Sequence, residues 1–153
     1  MAKYILDVPT EAQAKSNTCW HASALMIWRY WQGVTGRQGP MYSLDVNWSY
    51  NQPIQVPEFI ILAHRVGMKS IPTRNIYSDS DLESLLKRHG PLWCAGHWYG
   101  PGHIIVLAGI DCGVVHINDP DGGVKKKERL SWFNTKLDSQ VKGALMAKDP
   151  NRY

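Results

Sequence analysis

The chain changes its hydrophobic rhythm about halfway along. From Cys19 to Gln32, Ala22, Ala24, Leu25, Met26, Ile27, Trp28 and Trp31 cover most of a helical wheel. That predicts a central helix buried on nearly all sides, ended by Gly33 and Gly36. The polar residues before it, Lys15 to Thr18, offer Asn17 or Thr18 as its cap. Met1 to Gln13 reads as an extended lead-in, and Gly39 to Pro57 as irregular. A second helix is expected over Glu58 to Val66, opened by Pro57 and stopped by Gly67. A short strand is expected over Met68 to Thr73. A third helix runs from about Ser78 to His89 and closes at Gly90-Pro91, with Ser80 and Glu83 as a capping box.

Beyond Pro91 the pattern is that of strands. Leu92 to Ala95, His103 to Ile110, Val114 to Asn118, Val124 to Leu130 and Ala144 to Ala147 are separated by Gly-, Pro- and Asp-rich turns. Helices first and an antiparallel sheet after them is an α+β pattern. The 153 residues are expected to form a single domain, 1–153, large enough to bury a core without disulfide or metal staples.

Composition narrows the function classes. Charged residues are 20% of the chain and hydrophobic residues 44%, which argues against a disordered protein or a coiled coil. No apolar run is long enough to span a bilayer, and the first residues do not read as a signal peptide. The net charge of +4 raises nucleic-acid binding, but the basic run Lys125 to Lys127 stands beside Glu128 with no phosphate loop or RNA-binding motif. It reads as a solvated loop or strand edge, so neither a nucleic-acid nor a membrane partner is expected. Three cysteines without a secretory signal point to reduced thiols.

Cys19 stands where loop becomes helix. There the helix dipole and unpaired N–H groups favour thiolate, the nucleophilic form. A nucleophilic cysteine needs a base. His103 is the best placed of the six histidines, with Gly100-Pro101-Gly102 before it and an apolar strand after it. The base needs an acceptor to orient it. The next strand would return as a hairpin and end in Asn118-Asp119-Pro120, so either Asn118 or Asp119 could hold the imidazole. Gln13, six residues before Cys19, could join the Cys19 N–H in stabilising an oxyanion.

Gln13, Cys19-Trp20 opening a buried helix, Gly102-His103 opening a strand and Asn118-Asp119-Pro120, in that order over nearly the whole chain, resemble a papain-like cysteine peptidase. The compact size resembles bacteriocin-processing peptidase domains that cut after double glycine, and secreted bacterial cysteine-protease effectors. The resemblance implies a papain-like fold with the nucleophile on the central helix. It also implies a Cys19-His103-Asp119 triad, with Asn118 as the fallback, and Gln13 in the oxyanion hole. The chain departs from plant papain in two ways: Asn17-Thr18 replaces a Gly and a second Cys before the nucleophile, and the Cys-to-His interval is shorter. Trp20, Trp98, Tyr99 and Gly102 are the candidate walls of a substrate groove. No cofactor is expected.

Cys94, His97, His103 and Cys112 could suggest a metal site, but strand alternation places Cys94 and His97 on opposite faces if the strand continues, so no metal is expected. Cys94 and Cys112 then read as bystanders, His21 as bystander or rim, and Trp28, Trp31 and Trp132 as core. The resemblance further implies an endopeptidase, monomeric, with an extended protein segment as substrate. It implies an effector or toxin role in the cytoplasm of the producing or a recipient cell, delivered by a secretion system or larger carrier, with a cognate immunity protein blocking the cleft. The same triad would serve a glutamine deamidase or acyltransferase, and a relic peptide-binding domain would lack the nucleophile that is present here.

Overall fold

The computed structural model describes residues 2–37, 39 and 54–152. The elements run β1 (Lys3–Ile5), α1 (Cys19–Thr35), α2 (Phe59–Val66), β2 (Met68–Ser70), α3 (Asp79–His89), β3 (Leu92–Gly96), β4 (His103–Asp111), β5 (Val114–Asp119), β6 (Val124–Arg129), α4 (Leu130–Lys136) and β7 (Leu145–Lys148). A 3-10 turn, Val56–Glu58, precedes α2. The rest of the stretch expected to be irregular lies almost wholly outside the described residues.

The strands form one antiparallel sheet in the order β2-β7-β3-β4-β5-β6, and β1 pairs with the far half of β4. Alternation along the strands divides the core between two faces. Trp93, Ala95, Ile104, Val106 and Met146 point to one face and pack with Ala24, Met26 and Ile27 of α1 and with Phe59, Leu62 and Val66 of α2. Leu92, Cys94, Ile105, Leu107 and Leu145 point to the other, against Leu82 and Leu86 of α3 and Phe133 of α4. This is the expected α+β arrangement, with helices on both sides of the sheet.

Several local expectations are corrected. Helix α1 runs through Gly33 and stops at Gly36, whose left-handed backbone (φ 70°) lets its N–H bond to the Gln32 carbonyl. Its apolar wheel is less buried than the pattern implies, because Trp28 and Trp31 keep one side partly exposed. Trp28, Trp31 and Trp132 pack against the core but are only partly buried, and among the described tryptophans the fully buried ones are Trp93 and Trp98. His21 is buried, edge-on to Trp20, and does not sit on a rim. The cap of α3 is Ser78, two residues earlier than Ser80: its Oγ accepts from the Asp81 N–H at 3.1 Å, and Asp81 accepts from the Ser78 N–H at 2.9 Å. Helix α4 escaped notice because it follows β6 without a break, with Arg129 as its N-cap and no side-chain cap.

The turn between β4 and β5 holds Cys112 and Gly113 at φ 47° and 83°, the paired positive angles that tight hairpins require. This hairpin returns the end of β5 beside the start of β4. Removing the cap of α3 by Ser78→Ala is expected to cost about 1 kcal/mol, whereas Ser80→Ala changes little. Thermal denaturation of the two variants checks this, with a fall of roughly 2–4 °C expected for Ser78→Ala alone.

Candidate active site

Cys19 is the first residue of α1 and is partly exposed. The helix has no acidic residue in its first turn and no side-chain cap, so its positive end is not spent on its own side chains. Thr18, expected as a possible cap, turns back instead. Its Oγ1 donates to the Lys15 carbonyl at 2.9 Å and accepts from the Lys15 N–H at 3.1 Å. The loop before Cys19 is thereby closed on itself.

His103 opens β4, and the Cys19 thiol lies near enough to its ring to help raise the ring's pKa. The imidazole Nε2 lies 2.7 Å from Asp119 Oδ1, which leaves Nδ1 for the thiol. The pairing is set by register. Leu107 faces Ile117 across β4 and β5, so His103 and Asp119 project on the same face at the ends of neighbouring strands. Asn118 projects on the opposite face, where its Nδ2 donates to the Val8 carbonyl at 3.0 Å. The fallback is therefore corrected: Asn118 anchors the N-terminal segment and does not touch His103.

Asp119 is 2% exposed in its side chain. A buried carboxylate must be matched by donors, and this one has three. Oδ1 faces His103 and accepts from the Asp121 N–H at 2.9 Å, and Oδ2 accepts from Lys126 Nζ at 2.9 Å. Burial alone would raise its pKa, but these bonds outweigh it and hold the carboxyl down at about 2. For His103, burial favours the neutral ring, but the bonds to Asp119 and Cys19 and their charges win, and its pKa is raised to about 9. The ring is thus an imidazolium at neutral pH.

The other thiols are unsuited to attack. Burial pushes the Cys94 thiol far above its usual range. Cys112 lies exposed in the hairpin turn, and a hydrogen bond to Asp111 raises its pKa. His97, the other half of the ligand-like Cys94 interval, is exposed and pairs through Nδ1 with Asp138 at 2.8 Å.

Gln13 lies against both the Cys19 loop and the Asp119 turn. Its N–H donates to the Pro120 carbonyl at 2.7 Å, and its Nε2 donates to the carbonyls of Lys15 at 3.0 Å and Ser16 at 2.8 Å. Its amide braces the loop that sets Cys19. Among the groove candidates, Trp98 is corrected. It is fully buried, stacks on Phe133 at 5.4 Å and donates its indole N–H to the Cys94 carbonyl. Trp20 is partly buried, and its carbonyl receives the Trp93 indole N–H. Tyr99 is 45% exposed and lies beneath Lys126 Nζ, 4.2 Å from its ring centre. Gly102 has open space where a side chain would stand, which leaves room beside His103 for another backbone.

Lys126 is the site residue that sequence reasoning missed. The basic run forms β6, an edge strand, and is not simply solvated. Alternation sends Lys125 to the Val8 carbonyl at 2.8 Å and Lys126 to Asp119. Its role follows from the strand register, in which Lys126 pairs with Ile117, diagonal to Asp119 on the same face.

A partly exposed thiol at a helix start, an imidazolium and a buried carboxylate in sequence are the parts of a papain-like cysteine peptidase. The sequence family described as papain-like cysteine protease AvrRpt2 matches residues 3–138, and the chain belongs to that family. Among solved structures it is similar to a double glycine motif protease from an AMS/PCAT transporter, in complex with the leader peptide. That match has a TM-score of 0.63 and 20% identity, over 96% of this chain and 97% of that one. No curated protein matches the chain significantly.

The His103 titration tests the geometry of the site. Its midpoint by NMR is expected near 9. Asp119→Asn should lower it, because burial then acts with less opposition, while Asn118→Ala should leave it in place.

Proposed function

We propose that the chain is an endopeptidase in which Cys19, His103 and Asp119 act as a triad on an extended protein segment. The carrying observation is the bond from the His103 ring to buried Asp119, with the Cys19 thiol near enough to the same ring to help raise its pKa. Cys19 thiolate attacks the peptide carbonyl while His103 holds the proton. The oxyanion receives the Cys19 N–H at the helix start and the Gln13 amide, which must release a loop carbonyl to reach it. His103 then protonates the leaving amine, and water attacks the thioester to free the acyl product.

The substrate segment runs past Gly102, bordered by Trp20 and Tyr99. The double glycine specificity in the neighbour's description and the open space at Gly102 support cutting after Gly-Gly. An effector role, with an immunity protein as inhibitor, is supported by the resemblance to secreted cysteine-protease effectors.

Terminal-residue proteomics in cells expressing wild type or Cys19→Ala tests this reading. New N-termini preceded by Gly-Gly, present only with wild type, are expected. A mass shift of about one dalton at glutamine without new N-termini would indicate a deamidase instead. With a cleaved peptide in hand, Cys19→Ala and His103→Ala should abolish turnover. Gln13→Ala should lower kcat by about 10²–10³. The rate should fall as pH rises through about 9, where His103 loses its proton.

A further inference from the structure

Asp119 can orient His103 only if the carboxylate itself is held. It has two oxygens, and turning about its own bond would exchange them or tilt Oδ1 away from the imidazole. Oδ1 carries His103 and the Asp121 N–H, whereas Oδ2 accepts from Lys126. That lysine is itself placed. Its backbone is fixed in β6 opposite Ile117, and its ammonium rests on the Tyr99 ring at 4.2 Å. The ion pair also differs from an ordinary surface contact. The Lys126 side chain is 36% exposed but the Asp119 side chain only 2%, so the carboxylate oxygen would be left buried without its partner.

We propose that Lys126 is a positioning residue: it pins Asp119 Oδ2, so that Oδ1 stays on His103 Nε2, with Tyr99 as the platform that holds the ammonium in place. The proposal rests on the triad reading of the site and extends it to a fourth residue, on a third strand. Lys126 does not touch the thiol or the reacting carbonyl, and acts through Asp119. The charged and titratable groups around the cluster are Cys19 from α1, His103 from β4, Asp119 from β5, Asp121 from the following turn, Lys126 and Glu128 from β6, and Tyr99 from the β3–β4 loop.

Two effects of removing the lysine have opposite signs, and this makes the proposal testable. A lysine acting only as a nearby positive charge disfavours the imidazolium, so its loss would raise the pKa of His103. A lysine that holds Asp119 in place strengthens the Asp119–His103 bond, so its loss lowers that pKa. Positioning predicts the second.

The experiment compares wild type with Lys126→Met, Lys126→Gln and Lys126→Arg. Circular dichroism selects the folded variants, and Lys126→Gln, which keeps a neutral donor, supplies the measurement if Lys126→Met does not fold. On a cleaved peptide, Lys126→Met is expected to lower kcat about tenfold with KM little changed. It is also expected to move the alkaline limb of the rate down by about half a pH unit or more. Lys126→Arg should restore most of both, and Lys126→Gln should fall between. In the resting protein, the downfield NMR signal of the His103 Nε2 proton should persist in wild type and Lys126→Arg, and exchange faster with water in Lys126→Met. Unchanged kcat and an unchanged proton signal, or an alkaline limb that moves up, would overturn the proposal. The NMR arm needs no substrate. If wild type cleaves nothing, the peptidase reading fails while the role of Lys126 is still decided by that signal.

Discussion

The site depends on one buried hydrogen bond, between His103 Nε2 and Asp119 Oδ1 at 2.7 Å. An aspartate almost wholly removed from water is costly unless its charge is met. Here it is met by an imidazolium, an ammonium and a backbone N–H at once. Those bonds drive the two pKa values apart, to about 2 for Asp119 and about 9 for His103. Over the whole range between them the pair stays charged. Its contribution to folding follows the same signs. The His103 part is complete below the ordinary histidine range and is lost as pH rises through about 9. The Asp119 part is complete above the ordinary carboxylate range and is lost as pH falls through about 2.

The sheet makes this bond possible. Residues at the ends of β4 and β5 become neighbours only because a tight hairpin reverses the chain at Cys112-Gly113. The bulge between Leu107 and Gly109 lies inside the ladder, between that turn and the site, and shifts the register by one residue, which sets Asp119 rather than Asn118 on the face of His103. Helix α1 then brings its first residue to His103 while its apolar side is fixed against Ile104 and Val106. The Ser23 hydroxyl donates to the Ile104 carbonyl and ties the first turns of the helix to the same strand. Packing of the central helix and positioning of the nucleophile are therefore one constraint.

Most of the fold was legible because its signals are local. Glycines at helix ends, turn clusters between strands and apolar alternation after Pro91 place most of the elements within a residue or two. Helix α4 was not legible: its N-cap makes no side-chain hydrogen bond, and it follows a lysine-rich strand directly. Cys19 and His103 could be chosen from the sequence because each opens an element. Asn118 and Asp119 could not be separated that way, since adjacent strand residues differ only in the face they take, and the face depends on pairing register. The same limit hid Lys126, which looks like one of three equivalent lysines until register sends it to Asp119. Trp98 misled for a related reason. Its place beside an exposed Tyr99 suggested a groove, but Trp132 and Phe133 of the unseen helix α4 close over it.

The most direct test is covalent labelling by an electrophilic peptide ending in Gly-Gly, read by mass spectrometry at each of the three cysteines. A triad of Cys19, His103 and Asp119 predicts label on Cys19, little on Cys112 and none on Cys94, with the Cys19 label lost in His103→Ala. Equal labelling of Cys19 and Cys112, or undiminished labelling of Cys19 without His103, would contradict it.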